Sequence, residues 1–391
     1  MNEAYIVTGF RSPIGKAPRG NFRFFRPDDL AANVINHLLS SVPELDPSRV
    51  DDVIVGNAVP EAEQGMQIGR MIVLRSNLPI TVPGVTINRY CASGVETISM
   101  AIAKINMGIA DCIIAGGAES MSLVPSIGWK FTANYDIATQ HPDYYLSMGL
   151  TAEEVVNDYG ISREDQDLFA YNSHMKAINA IEKGYFKSEI VPIEVEDIFV
   201  DGDKKKTRTK LVETDEGPRK DTTLEVLAKL KPVFRVNGSV TAGNSSQTSD
   251  GAAFVLVMSE KMIKELNLTP IARMVSYAVA GVDPRVMGIG PIAAIPKALN
   301  KANLKLDDID LIELNEAFAS QSLAVVRNLG LNTDKLNVNG GAIALGHPLG
   351  CSGAKLTISI LNELKRKNKK YGMVSACIGG GQGVASIFER L

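Results

Sequence analysis

The sequence predicts an α/β protein built from an internal duplication, with a long insertion in its first half. Short apolar β-rich runs alternate with helix-period patterns. The order strand, helix, strand, glycine turn occurs early in the chain and again in the last third. Between them, residues from about 120 to 249 lose that regularity.

VDDVIVGNAV (50–59) reads as a strand and its exit, and VTINRY (85–90) leads to Cys91. A helix is expected from Val95, where Ile98, Ile102 and Ile105 recur at helical spacing, and DCIIAGG (111–117) reads as a buried strand ending in a glycine turn. In the last third DIDLIELNEAF (308–318) is strand and exit, a helix from Ala354 carries Leu356, Ile360 and Leu364, and the strand YGMVSA (371–376) precedes Cys377. A shift that carries Asp52 onto Asp310 also carries Asn57 onto Asn315. The intervening stretch holds SLVPSIGWKFTANYD, a helical pattern in SREDQDLFAYNSHMKAINAIEKG and a charged segment at 201–221. It is expected to pack on the duplicated core and shape a site.

With 391 residues, 45% apolar and 22% charged, the chain has room for two or three domains and a large core. A net charge of −3 gives no basic excess for nucleic acid. Lys204, Lys205, Lys206, Arg208 and Lys210 form a local basic run, either a solvated loop or a seat for an anionic ligand. No run approaches the ~18 apolar residues of a membrane span, no export leader is expected, and FERL is not a peroxisomal address. A cytoplasmic protein without membrane insertion is the expectation. The cysteines at 91, 112, 351 and 377 lack C-x-x-C spacing and the histidines at 37, 141, 174 and 347 are scattered, so free thiols are expected, with no structural metal and no disulfide framework.

Cys91 in NRYCASG (88–94) lies where a strand meets a helix, and a helix start offers N–H groups and a dipole that favour thiolate. The alternative is a small buried cysteine, which suits Cys112 in CIIA well. Cys377 in SACIGGGQG (375–383) is a second thiol at a glycine turn. His347 sits in NGGAIALGHPLGCSG (339–353), where Gly346 permits close approach and Pro348 stiffens the chain. A nucleophile, a base and a second proton carrier are the parts of thiol-based acyl transfer. Asn315 and Glu316 follow the strand LIEL; an amide there can orient a water or an oxyanion, or cap the next helix.

Together NRYCASG, NEAFA, ALGHPLGCSG and SACIGGGQG, in this order, resemble the thiolase family over essentially the whole chain. GGAESMS (116–122), MGLTAE (148–153), DEGPR (215–219), TAGNSSQTSDGAA (241–253) and VMGIGP (286–291) add to the likeness, which is greatest to the degradative 3-ketoacyl-CoA thiolases. The resemblance implies a five-layered αβαβα fold with residues 1–119 plus 250–270 as the first half, 120–249 as an inserted CoA-binding loop domain and 271–391 as the second half. It implies Cys91 as the acylated nucleophile, His347 as its base and Cys377 as the acid/base at the α-carbon. His347 with a water on Asn315 would serve the enolate, and the N–H groups of Cys91 and Gly379 the oxyanion at the acyl carbon. Arg219 would lie near the adenine of CoA and Ser246 on the pantetheine arm, with Met148 and Met287 as walls near the acyl group.

The implied reaction is cleavage of 3-ketoacyl-CoA by CoA, a substrate rather than a resident cofactor, with no metal. The implied assembly is a homodimer or homotetramer, with a hydratase/dehydrogenase partner left open. Ala92 replaces the usual serine or glycine after the nucleophile, and Ser147 stands where acetoacetyl-forming relatives often carry histidine. The alternatives are an acetoacetyl-CoA-forming acetyltransferase, a decarboxylating ketoacyl synthase, which would lack the second cysteine, and a non-catalytic acyl-CoA carrier, which would not need all three reactive side chains.

Overall fold

The computed structural model describes residues 3–391. Its main strands run edge to edge in the order Leu311–Leu314, Tyr371–Ile378, Gln382–Arg390, Ala272–Gly281, Ala4–Arg11, Ser249–Ser259, Cys112–Ser120, Asp52–Gly56 and Gly84–Ile87. The two halves of that path touch through one residue pair, Ile6 with Ala272, so they act as two sheets.

Both sheets repeat one pairing scheme. Asp52–Gly56 is parallel to Gly84–Ile87 and Cys112–Ser120, which is antiparallel to Ser249–Ser259, itself antiparallel to Ala4–Arg11. In the second sheet Leu311–Leu314 is parallel to Tyr371–Ile378, and the antiparallel strands Gln382–Arg390 and Ala272–Gly281 follow. Leu336, bridged in parallel to Ile312, stands in for the missing edge strand.

The duplication is offset one residue from the sequence expectation. Asp51, not Asp52, matches Asp310: Asp51 accepts from the N–H groups of Asp111 and Cys112, and Asp310 from those of Lys370 and Tyr371. Each carboxylate thus fixes the start of the neighbouring strand. Asp52 instead pairs with Lys104 at 2.5 Å.

Alternating side chains of each sheet feed different layers. Val53 and Val55 pack with Val34, Ile35, Leu38 and Ile72 of the outer helices Pro27–Ser40 and Ile68–Arg75. Ile54 points the other way, into the core shared by helices Ser93–Asn106 and Leu349–Arg366, which lie between the sheets. Helices Gly290–Ala302 and Ala319–Leu329 cover the far face through Ile295, Leu299 and Val325. The result is five layers, αβαβα.

Glycine lets helix Leu349–Arg366 approach both the strand Cys112–Ser120 and the helix Ser93–Asn106. A Cβ at Gly117 would lie 2.0 Å from the Gly350 carbonyl oxygen, and one at Gly94 would lie 2.6 Å from the Ala354 nitrogen. This contact explains why the second helix begins at Leu349 and not at Ala354: Gly350 and Gly353 read as loop residues, but here they let backbones meet inside a helix. The last parallel strand likewise runs through Ile378, so Cys377 is a strand residue and not the first residue beyond one.

The strands Cys112–Ser120 and Ser249–Ser259 are joined by the long insertion, where the second half has only Gly379–Gly381. Helices Met148–Tyr159 and Arg163–Glu182 lie in it, the latter capped by Ser162 accepting from Asp165 N–H. The basic run is not a loop. It is the exposed strand Lys204–Val212, paired with the acid-bearing strand Ile193–Asp201, with Arg208 opposite Asp197 and Lys204 opposite Asp201. Fully buried Arg11 ties the insertion to the first sheet by bonds to Glu189 at 2.7 Å and to Asp215 at 2.7 and 2.9 Å. Among the described residues no helix is long and apolar enough to cross a membrane.

Candidate active site

Cys91 occupies the short turn Tyr90–Ala92 that feeds helix Ser93–Asn106. Tyr90 has φ +43°, a strained value for a bulky residue, so the turn is sharper than an ordinary helix entry. It is held by Tyr90 N–H on Asn88 Oδ1 at 2.9 Å, by Arg89 N–H on Ser93 Oγ at 2.8 Å, and by Ser93 Oγ–H on the Tyr90 carbonyl at 2.7 Å. Cys91 is 7% exposed.

Burial pushes the Cys91 thiol up to about 11, although its sulfur accepts from the N–H of Gly379 and from its own. The helix start therefore does not produce a resting thiolate, contrary to the sequence expectation. At neutral pH on the order of one thiol in 10⁴ would be ionised, so the nucleophile needs a base. Cys112 and Cys351 are buried without such donors, and burial raises both.

His347 is 5% exposed at the entry to helix Leu349–Arg366, which packs on the Cys91 turn. Gly346 reaches it with φ +94°, where a Cβ would fall 2.3 Å from Ser249 Oγ. The His347 N–H donates to the Gln247 carbonyl at 3.1 Å and to Ser249 Oγ at 3.2 Å. Its Nδ1 stands 2.5 Å from Ser352 Oγ, which donates to the Pro348 carbonyl at 2.8 Å, and its Nε2 stands 3.2 Å from Asn315 Nδ2. One arrangement satisfies all three: Nδ1–H donates to Ser352, and Nε2 accepts from Asn315. Burial, with Lys355 nearby, holds the imidazole down to about 3, so it is a neutral base.

Asn315 does not cap the helix that follows. That helix starts at Ala319 with Phe318 before it, and the amide of Asn315 is spent on His347. Glu316 points elsewhere: it accepts from Ser173 Oγ at 2.6 Å, Asn337 Nδ2 at 2.8 Å and Ile343 N–H at 3.2 Å, fastening the insertion to the loop that carries His347.

Cys377 is fully buried beside Met287, Ala317 and Phe318, and its Sγ–H donates to Gln321 Oε1 at 3.6 Å. Burial and then the nearby Cys91 raise its thiol well above the usual range. The two cysteines thus share one centre. Gly379 lies under the same roof, since a Cβ there would meet Met148 Sδ at 3.6 Å and the Tyr90 ring at 3.9 Å. Met148 is 40% exposed and Met287 is buried. Ser246 donates its N–H to the Ala317 carbonyl at 2.9 Å, next to the Cys377 cluster, whereas Arg219 is exposed with its N–H on His174 Nδ1 at 3.2 Å. Two cavities of about 330 and 400 Å³ lie away from the thiols, lined in part by Lys365 and Asn362.

Two family models together match nearly the whole chain. Residues 4–261 match the thiolase N-terminal domain and 268–390 the thiolase C-terminal domain. The chain belongs to the thiolase family. It is an acyl-transferring enzyme of that family. It is 52% identical, over all of both chains, to the 3-ketoacyl-CoA thiolase of Bacillus subtilis, and 44% identical, again over all of both, to a beta-ketoadipyl-CoA thiolase of Acinetobacter baylyi. Among solved structures, the acetyl-CoA acetyltransferase of Bacillus anthracis superposes with a TM-score of 0.89 at 42% identity, over 100% of this chain and 99% of that one.

Three residues of this thiolase centre escaped the sequence reading. Ser352 lies five positions after His347 in a motif otherwise read for its glycines. Gln321 lies one helical turn beyond NEAF, a spacing with no chemical signature of its own. Glu119 accepts from the N–H groups of Ala58 and Gly350 at 2.8 Å each, and its charge bears on Cys91; it lies in GGAESMS (116–122), a segment read for its family likeness and not for chemistry.

Proposed function

We propose that this thiolase cleaves 3-ketoacyl-CoA with CoA, giving acetyl-CoA and an acyl-CoA shortened at the cleaved bond. The observation that carries the reading is the pairing of two buried thiols, Cys91 and Cys377, at one centre, with a neutral His347 at the entry to the helix that packs on the Cys91 turn. Cys91 passes its proton to His347 Nε2 and attacks the 3-keto carbonyl. The C2–C3 bond breaks, acetyl-CoA leaves as its enolate, and Cys377 gives its proton to the enolate carbon. The Cys377 thiolate then takes the thiol proton of incoming CoA, whose sulfur takes the acyl group from Cys91, and His347 returns the proton to Cys91.

Two oxyanions form on this route. The N–H groups of Cys91 and Gly379, which already reach the Cys91 sulfur, suit the one at the acyl carbon; Asn315 with His347 suits the enolate. Preorganised donors of this kind contribute ~3 to 4 kcal/mol each. CoA enters as substrate, and no permanently bound cofactor is called for. The insertion 120–249 would seat CoA, with Ser246 nearer the thiols and Arg219 outward, while Met148 and Met287 flank the acyl group. Cytoplasmic placement and a homodimer or homotetramer go with this reading, as they do with the family resemblance.

A second reading, acetoacetyl-CoA chemistry, draws support from the likeness to the Bacillus anthracis acetyl-CoA acetyltransferase. Against it stand Ser147 before Met148 and the SSQTSDGAA and GHPLGC segments. Each further buried CH₂ contributes ~0.8 kcal/mol, so an open acyl pocket favours longer chains. Measuring kcat/KM for C4 through C16 3-ketoacyl-CoAs at fixed CoA separates the two readings: a maximum above C4 supports the degradative one, and a maximum at C4 with steep loss thereafter supports the other.

A further inference from the structure

Gln321 lies in the first turn of helix Ala319–Leu329, fully buried against the second thiol. Its Oε1 receives the Cys377 Sγ–H at 3.6 Å and, at a long 3.4 Å, the Phe318 N–H. Its Nε2 is buried with no hydrogen-bond partner among the described residues. An unpaired buried amide nitrogen is costly, and a methionine would fill the same space without that cost. The resting thiol state alone therefore does not account for a glutamine here. A Cβ at Gly288 would stand 2.5 Å from Gln321 Cβ, so the stem is clamped and the terminal amide, whose last torsion is soft, is the part able to turn.

We infer that Gln321 is a positioning residue that serves Cys377 in both protonation states, with Oε1 accepting the thiol S–H and, after a half-turn of the amide, Nε2–H donating to the thiolate. The inference rests on the acid/base reading of Cys377 proposed above and adds a group that reading lacks. A thiol donates and a thiolate only accepts, and one primary amide carries both complements on a single rotatable plane. When Cys377 gives its proton to the enolate carbon, the thiolate is left among Met287, Ala317 and Phe318, none of whose side chains can donate to it, and its own backbone N–H is the donor it keeps. Turning the amide gives up only the long bond to Phe318. When the CoA thiol proton returns to Cys377, the amide turns back.

The test separates the step served by Cys377 from the step served by Cys91. Deuterium exchange at the α-carbon of acetyl-CoA, followed across pH, reads the first; acylation of Cys91 by a simple thioester reads the second. Gln321→Met removes both hydrogen-bonding groups, and Gln321→Glu keeps an acceptor for Phe318 N–H but loses the amide donor. In Gln321→Met, exchange at neutral pH is expected to fall at least about tenfold and its pH profile to move about one unit to the alkaline side, because a thiolate supported by its own N–H alone holds its proton more tightly than one that also accepts from an amide. Cys91 acylation stays within about twofold, and Gln321→Glu, measured where its carboxyl is ionised, does not restore exchange. An unchanged exchange profile in Gln321→Met, equal losses in both steps, or full exchange in Gln321→Glu would overturn the inference. Cys377→Ser is the reference: if it exchanges like the wild type, the acid/base reading of Cys377 itself fails, whereas loss there with none in Gln321→Met removes Gln321 alone.

Discussion

His347 Nδ1 lies 2.5 Å from the Ser352 hydroxyl, and that contact decides which ring nitrogen is the base. The Ser352 proton is committed to the Pro348 carbonyl, so its oxygen accepts from Nδ1–H, and Nε2, whose lone pair rests on the Asn315 amide N–H, is the nitrogen able to take a proton.

Ser352→Ala is therefore expected to lower kcat about 10- to 100-fold with little change in KM, by letting the ring adopt the other tautomer. Nitrogen NMR of the imidazole should show the proton leaving Nδ1 in the variant. An unaltered tautomer together with an unaltered kcat would remove Ser352 from the account.

Stability should fall on mild acidification. Burial holds His347 down to about 3 and His174 to about 4, while both sit near 6.5 in the unfolded chain. Their folded values are depressed, so the unfolded state binds more protons between those limits and stability is lost as pH falls below about 6.5. The slope is about 1.4 kcal/mol per pH unit for each histidine while only its unfolded form is protonated. Denaturant midpoints measured from pH 7.5 to 4.5 check it, and replacing His174 with glutamine should flatten the lower part of the curve.

The contact between Gly117 and Gly350 predicts a packing defect with no change in chemistry at the thiols. In Gly117→Ala the new methyl would meet the Gly350 carbonyl, and because backbone must move on both sides the cost is expected at about 2 to 3 kcal/mol or more. Thermal unfolding reads it directly. A variant as stable as the wild type would mean that helix Leu349–Arg366 has slack against the strand Cys112–Ser120.

Arg11 links the first strand to the insertion. Arg11→Met leaves Glu189 and Asp215 buried without their cation, and breaking a buried pair from one side costs about 3 to 5 kcal/mol. Limited proteolysis should then cut within residues 189–215 faster than elsewhere. Uniform cleavage at the wild-type rate would show that other contacts hold the insertion.

Much of this was legible in the sequence, for physical reasons that differ by residue. Ile98, Ile102 and Ile105 betray their helix because a buried face must repeat at helical spacing, and the buried strand at Cys112 shows as an unbroken apolar run. The start of the second central helix did not show, since Gly350 and Gly353 are poor helix formers retained for backbone contact with Gly94 and Gly117. The strand Lys204–Val212 hid for a similar reason: its charges face solvent and its partner's acids, leaving no apolar alternation to read. Cys91, His347 and Cys377 stood out because reactive side chains beside glycines are unusual in any context. Gln321 and Ser352 act through those residues, and only their distances disclose them.

The acyl-enzyme at Cys91 is the centre of the account. It is tested by incubating the enzyme with a 3-ketoacyl-CoA in the absence of added CoA, quenching, digesting and locating the acyl mass by mass spectrometry. The account predicts the shortened acyl group on the peptide that contains Cys91, and no such mass in a folded Cys91→Ala variant. An acyl group found on Cys112 or Cys351 with Cys91 unmodified would contradict it.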